Sequence, residues 1–246
     1  MYANPRGQRI LIWTTIVSIV LFGTALSGMM GFFPPPPPTA GAAEVLGLYT
    51  AHNTMFRVGV VICLLTGTGT LLPLTVAISV QMMRLEKGIP LWSITQALTG
   101  ALGTCFLWGP PLIWGAAAFT VTRDPSLTLL LHELGWLSFI TPVTAFPLQL
   151  VSIAFVSLTR TAPEGRAAFP RWIGYLTVWQ ALQSFGGLVA MLFKTGPLAW
   201  GGLIPFYFPL ALFFIWVVAI SYTLLRAISD QERSYEAEPA AAGDAR

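Results

Sequence analysis

Charge is scarce in this chain. Only 9% of its residues are Asp, Glu, Lys or Arg, against about a quarter in an ordinary soluble domain, so a hydrated globular surface is excluded. Histidine and cysteine number two each. That count rules out a His-rich membrane di-iron centre, a zinc framework and a disulfide scaffold. Cys63 and Cys105 both lie in apolar runs without a Cys-x-x-Cys, which reads as small buried membrane residues. A Gly-x-Ser-x-Gly nucleophile motif is missing, as is a phosphate-binding glycine loop, so neither acyl transfer nor nucleotide chemistry has a sequence basis. Net charge of +3 comes from scattered residues, and nucleic-acid binding needs a continuous basic face. No ionisable residue is expected near the middle of a long apolar run, which excludes proton pumps, ion-coupled carriers and voltage sensors. Lys194 sits at the end of a penultimate run, the wrong place for a retinal linkage. No cofactor is expected.

What the chain has instead is apolar sequence: 55% hydrophobic residues and a mean hydropathy of +0.71. About 20 apolar residues suffice to cross a bilayer as a helix. The runs predict an all-α polytopic bundle of six transmembrane helices over about 10–33, 58–83, 90–119, 135–159, 172–193 and 203–225,. Together they form one membrane domain, 1–228, followed by a Glu/Ala-rich tail, 229–246, expected to be disordered and cytoplasmic. The first run resembles a secretory signal but exceeds the typical 7–15 residues of its apolar core, so a retained span is expected. Pro34 to Pro38 open an outer loop, 34–57, as an extended spacer. A helix break is expected at Gly109-Pro110-Pro111, because adjacent prolines leave carbonyls one turn back without donors. Pro142 and Pro147 lie in the fourth span.

Sidedness follows from the basic residues. Of the 13 Lys and Arg, Arg6, Arg9, Arg84, Lys87, Arg160, Arg166, Arg171, Arg226, Arg233 and Arg246 fall on one side. Arg57, Arg123 and Lys194 fall on the other, which puts both termini in the cytoplasm.

Two spans share a pattern. Gln96-Ala97-Leu98 leads to Gly109-Pro110-Pro111 and Trp114-Gly115, and Gln180-Ala181-Leu182 leads to Gly196-Pro197 and Trp200-Gly201. The spans before each carry Pro73-Leu74 and Pro147-Leu148. This predicts a tandem hairpin pseudo-repeat, second and third spans against fourth and fifth, of the kind parallel transporter repeats show.

Neutral polar residues provide the interior candidates. Gln96, Gln149 and Gln180 fall at comparable depth, roughly 9–12 Å from the inner boundary, and Gln183 follows. They either line a pocket for a neutral or amphipathic molecule or join helices through hydrogen bonds. Charged and titratable residues gather at the outer end: Glu44, His52, Arg57, Arg123, Asp124, His132, Glu133 and Lys194. These form either a polar vestibule, with Arg57 and Lys194 gripping an anionic head group, or ordinary solvated loop charges. A metal would require His52, His132 and Glu133 to converge through folding, because His132-Glu133 has no second His at zinc-hydrolase spacing.

Phe169-Pro170-Arg171-Trp172-Ile173-Gly174 resembles the Pro-Arg-Trp-x-Gly start of a helix seen in bacterial multi-span membrane families of unknown function. The resemblance covers one loop and implies a bacterial inner-membrane protein, without naming a chemistry. Three functions are carried forward. The first is binding or transport of a hydrophobic or amphipathic, lipid-like small molecule. The second is a non-catalytic accessory subunit, with a membrane-protein partner or a second copy. The third is a membrane enzyme with a site at the outer face. The bilayer is the one partner common to all.

Overall fold

In a computed structural model, residues 4–141, 145–159 and 169–243 are described. Pro142, Arg160, Arg166 and Arg246, used above, lie outside the described residues. Every regular element among those described is helical. Helix α1 covers Pro5–Thr24 and continues as a π-helical turn over Ala25–Met29; α2 covers Ala42–Ala51, α3 Asn53–Gly67 and α4 Leu72–Met83. Then come α5 (Leu91–Gly103), α6 (Cys105–Phe119), α7 (Pro125–Ile140) and α8 (Ala145–Thr159). The chain ends with α9 (Arg171–Ser184), α10 (Gly186–Val189), a second π-helical turn at Leu203–Tyr207, and α11 (Phe208–Gly243).

Among the described residues, five helical stretches are long and apolar enough to cross a membrane: Pro5–Met29, Asn53–Met83, Leu91–Phe119, Pro125–Thr159 and Gly196–Arg233. The protein is therefore a multi-pass, membrane-embedded helical bundle. The stretch expected as the fifth span, 172–193, is not among the five. Its helix ends at Val189, and it carries Thr177, Gln180, Gln183 and Ser184 on its buried side. It nevertheless packs within the bundle, against α8 and α11.

Several boundaries move from their expected places for local reasons. Helix α1 starts at Pro5, where the Asn4 side chain accepts a hydrogen bond from the Gly7 amide. Helix α7 starts ten residues before the expected 135, because Asp124 caps it and Pro125 fixes its first turn,. Hydrogen bonds from the Ser126 hydroxyl and then its amide hold the exposed Asp124 carboxyl below the usual carboxylate range. The tail expected to be disordered beyond Ser229 is helical as far as Gly243. Its beginning is docked: Arg9 donates to Glu232 at 2.9 Å and to Ser229 at 3.1 Å. Gln231 and Gln8 meet Gln81 at the same end. We call this the termini end of the bundle.

The break expected at Pro110-Pro111 falls six residues earlier, between α5 and α6 at Thr104. A proline ring removes the donor for the carbonyl four residues back, which for this pair means Phe106 and Leu107. The Leu107 carbonyl lies against Gly67, where a Cβ would stand 3.1 Å from it. The second interruption, the 3-10 turn Thr68–Thr70, leaves first-turn donors of α4 open,. Thr15 of α1 accepts from the Leu74 amide at 3.1 Å, and Gly69 packs directly on Ser18. At the start of α5, Glu86 accepts from the Trp92 and Ser93 amides at 3.1 and 2.8 Å, so an expected loop charge is a helix cap.

Neutral polar side chains join the inner helices. Gln149 donates to Thr75 at 3.0 Å, and Ser79 donates to Gln96. Gly100 makes room for this arrangement, since a Cβ there would lie 2.6 Å from Thr75 and 2.7 Å from Gln149. A Cβ at Gly103 would meet nothing within 4 Å. Cys63 is buried beside Met30, whereas Cys105, expected to be buried, is exposed, and both are free thiols. We expect Gly100→Val to destabilise the purified protein by about 1–3 kcal/mol through overpacking. Gly103→Ala should be neutral or stabilising by less than about 1 kcal/mol. Thermal unfolding in detergent separates the two, and equal behaviour would refute the packing role of Gly100.

Candidate functional site

The end opposite the termini is closed by aromatic side chains, and the Pro-rich loop is part of that closure. Gly31 adopts φ +68°, a left-handed turn open to glycine, and the following Phe32 turns into the bundle. Its ring lies 4.9 to 6.4 Å from those of Tyr49, Phe56, Trp114, His132 and Trp136. Trp200 stacks on Trp136 at 6.4 Å and donates its indole N–H to the Pro36 carbonyl at 2.8 Å. The prolines expected as a surface spacer thus form a strap tied to the chain that precedes α11.

His132 sits at the centre of this cage and is only 1% exposed. It was expected on an outer loop, but the early start of α7 places it about two turns into a helix. Its Nδ1 lies 3.0 Å from the Tyr49 hydroxyl, and in either tautomer its Nε2 is buried without a partner. Burial pushes the Tyr49 phenol upward, so the hydroxyl keeps its proton. Thr128, Trp114 and Trp136 also bury polar atoms without partners in this region.

The other outer candidates do not assemble into one vestibule. Glu133 faces Lys194 at 3.8 Å, a loose pair whose lysine side chain is 78% exposed. Arg57 stacks over Phe119 at 5.2 Å and shares a groove with Arg123. His52 is exposed at the junction of α2 and α3. His52, His132 and Glu133 therefore point three ways, and no group of three metal-ligating side chains forms among the described residues.

Directly beneath the cage is a cavity of about 420 Å³, bounded by α1, α6, α7, α8, α9, α10 and the start of α11. Phe33 and Phe206 form part of its wall, and Phe206 also touches Trp136 of the cage at 6.2 Å. Both π-helical turns contribute: Leu26 and Ser27 from the first, Pro205 and Phe206 from the second. π-helical turns leave the regular hydrogen-bond ladder and recur at functional sites.

The cavity wall is aromatic and aliphatic, and no charged side chain among the described residues contributes to it. Its polar groups are Gln180, Gln183, Ser184, Thr70 and Ser27. Gln183 donates to the Gln180 carbonyl at 3.2 Å, and the side-chain oxygens of both glutamines are buried without donors. Leaving a buried acceptor open costs about 1–3 kcal/mol. Gln180 and Gln183 line this cavity, while Gln96 does not: it accepts from Ser79 at the α4–α5 contact. The aromatic wall went unpredicted because apolar lining and apolar core look alike in sequence.

We expect Tyr49→Phe to leave both ring nitrogens of His132 open and to lower stability by about 1–3 kcal/mol. His52→Ala should change it by less than about 0.5 kcal/mol. Thermal melts of both variants test the distinction between the two histidines. No protein-family model, curated protein or solved structure matches this chain.

Proposed function

We propose that this protein binds an uncharged hydrophobic or amphipathic molecule in the cavity beneath the aromatic cage and exchanges it with the surrounding bilayer. One observation carries the reading: an apolar cavity of about 420 Å³ whose two buried glutamines hold acceptors without donors. That volume lies within the roughly 300–1,000 Å³ usual for small-molecule sites. A ligand hydroxyl or amide N–H would satisfy the glutamine oxygens. A carboxylate or phosphate would meet no cation there and would add acceptors to acceptors. Phe33 and Phe214, both partly exposed and both lining the cavity, mark the side through which a bilayer-dissolved molecule would enter.

The reading includes six crossings, with 172–193 as the fifth, in a bacterial inner membrane with cytoplasmic termini. Arg9 at the start of α1 meets Glu232 near the end of the last membrane helix, and a chain that begins and ends on one side crosses an even number of times. Five apolar stretches need a sixth partner, and α9 with α10 supplies it. Its low hydropathy is accounted for by polar side chains that face the cavity instead of lipid. A matching interruption supports the tandem hairpin repeat: α5 and α9 each end in a tight turn.

A second reading, an accessory subunit, is favoured by one surface. Trp172, Tyr175, Trp179 and Leu182 are all exposed at helical spacing on α9, a face suited to a partner helix.

Two measurements test these readings. In a Cys63→Ala, Cys105→Ala background, Lys194→Cys and Arg171→Cys should react with an impermeant maleimide from opposite sides of oriented vesicles; same-side labelling removes the sixth crossing. Purified protein should retain a radiolabelled long-chain alcohol in preference to the fatty acid of equal length. Gln180→Leu with Gln183→Leu should lower that retention at least about tenfold, the equivalent of 1.4 kcal/mol. Equal retention of alcohol and acid would sink the cavity assignment.

A further inference from the structure

A second concave feature lies on the flank of the bundle, away from the central cavity. It is a groove of about 810 Å³ between α3 and α6, lined by Thr54, Arg57, Val58, Val60, Val61, Leu64, Leu112, Gly115, Ala116, Phe119 and Arg123. Its floor exists because α3 and α6 touch closely: a Cβ at Gly115 would stand 2.9 Å from Val60. Val58, Val61 and Leu112 are exposed along its length. No acidic residue among those described contributes to the lining.

Both charges sit at one end. The Arg57 guanidinium lies over the Phe119 ring at 5.2 Å, a cation–π contact at this end of the groove,. Arg123 spends one N–H on the Ala116 carbonyl at 3.1 Å, near the C-terminal end of α6, and keeps the rest of its fork,. Neither arginine takes part in an ion pair among the described residues. From Thr54 to Leu64 the helix rises about 15 Å, half of a hydrocarbon core about 30 Å thick. The groove is therefore one leaflet deep, with its positive end at head-group level.

We propose that this groove is a binding site for an anionic phospholipid, its phosphodiester held between Arg57 and Arg123 and one acyl chain laid along Val58, Val61, Leu64 and Leu112. Charge complementarity selects the head: two guanidinium forks match the oxygens of a phosphate bidentately. The apolar strip supplies the remainder and distinguishes a lipid from a free anion. The site is independent of the central cavity, whose lining carries no charge.

The test uses the full chain in a neutral detergent, with affinities read by thermal shift and by native mass spectrometry. Phosphatidylglycerol is expected to bind at least tenfold more tightly than phosphatidylcholine, and inorganic phosphate to give no shift. Arg57→Gln with Arg123→Gln should erase the preference for phosphatidylglycerol, while Arg57→Lys with Arg123→Lys should keep part of it, because charge persists and the fork is lost. Val61→Trp, which fills the groove and leaves both arginines, should weaken both lipids. Equal binding of the two lipids, a preference that survives the double Gln variant, unchanged binding by Val61→Trp, or a shift with phosphate alone would each overturn the assignment. Should the double Gln variant fail to fold, the Lys pair and Val61→Trp decide.

Discussion

In a medium without water, a buried polar atom must find its partner inside the chain, and this requirement organises the whole molecule. Wherever a helix is interrupted, another element answers for the exposed backbone. Thr15 answers for the break before α4, Glu86 for the start of α5, and Asn53 accepts the task at the end of α6 by donating to the Ala118 carbonyl at 2.8 Å. The interior amides also join helices: Gln149 bonds Thr75 and Gln96 bonds Ser79, each with one side-chain atom left over, Gln149 Oε1 and Gln96 Nε2. The open oxygens of Gln180 and Gln183 differ in bordering the cavity between the helices.

Aromatic packing supplies the second layer of order. The cage around Phe32 and His132 links α2, α3, α6 and α7 to the strap and to the chain before α11. Rings in edge-to-face contact contribute roughly 0.5–1.5 kcal/mol each beyond their burial, so the cage is a rigid lid and the cavity beneath it has a fixed ceiling.

Much of the architecture was legible in the sequence because hydropathy reports how long a helix is. Five of the expected apolar runs correspond to helical stretches able to cross a membrane. The cap signals at Asn4-Pro5 and Asp124-Pro125 were also present, but hydropathy alone set the boundaries, and that displaced His132 from a helix to a loop. Hydropathy cannot say which face a residue takes. Gln96 and Gln180 share a sequence context, yet one joins two helices and the other lines the cavity. The outer charges share one end of the bundle but divide between separate places, Arg57 with Arg123 and Glu133 with Lys194, since helix rotation is fixed by tertiary packing and leaves no mark on spacing.

The docking of Arg9 onto Glu232 and Ser229 has a bearing on assembly. This partly exposed pair contributes little energy, about 0–1 kcal/mol, but it joins positions 223 residues apart in the chain. Helix α1 meets this neighbour only after every helix between them has been made, so the bundle closes like a ring whose clasp comes late. Until then, the side of α1 that will face α11 has only lipid to touch.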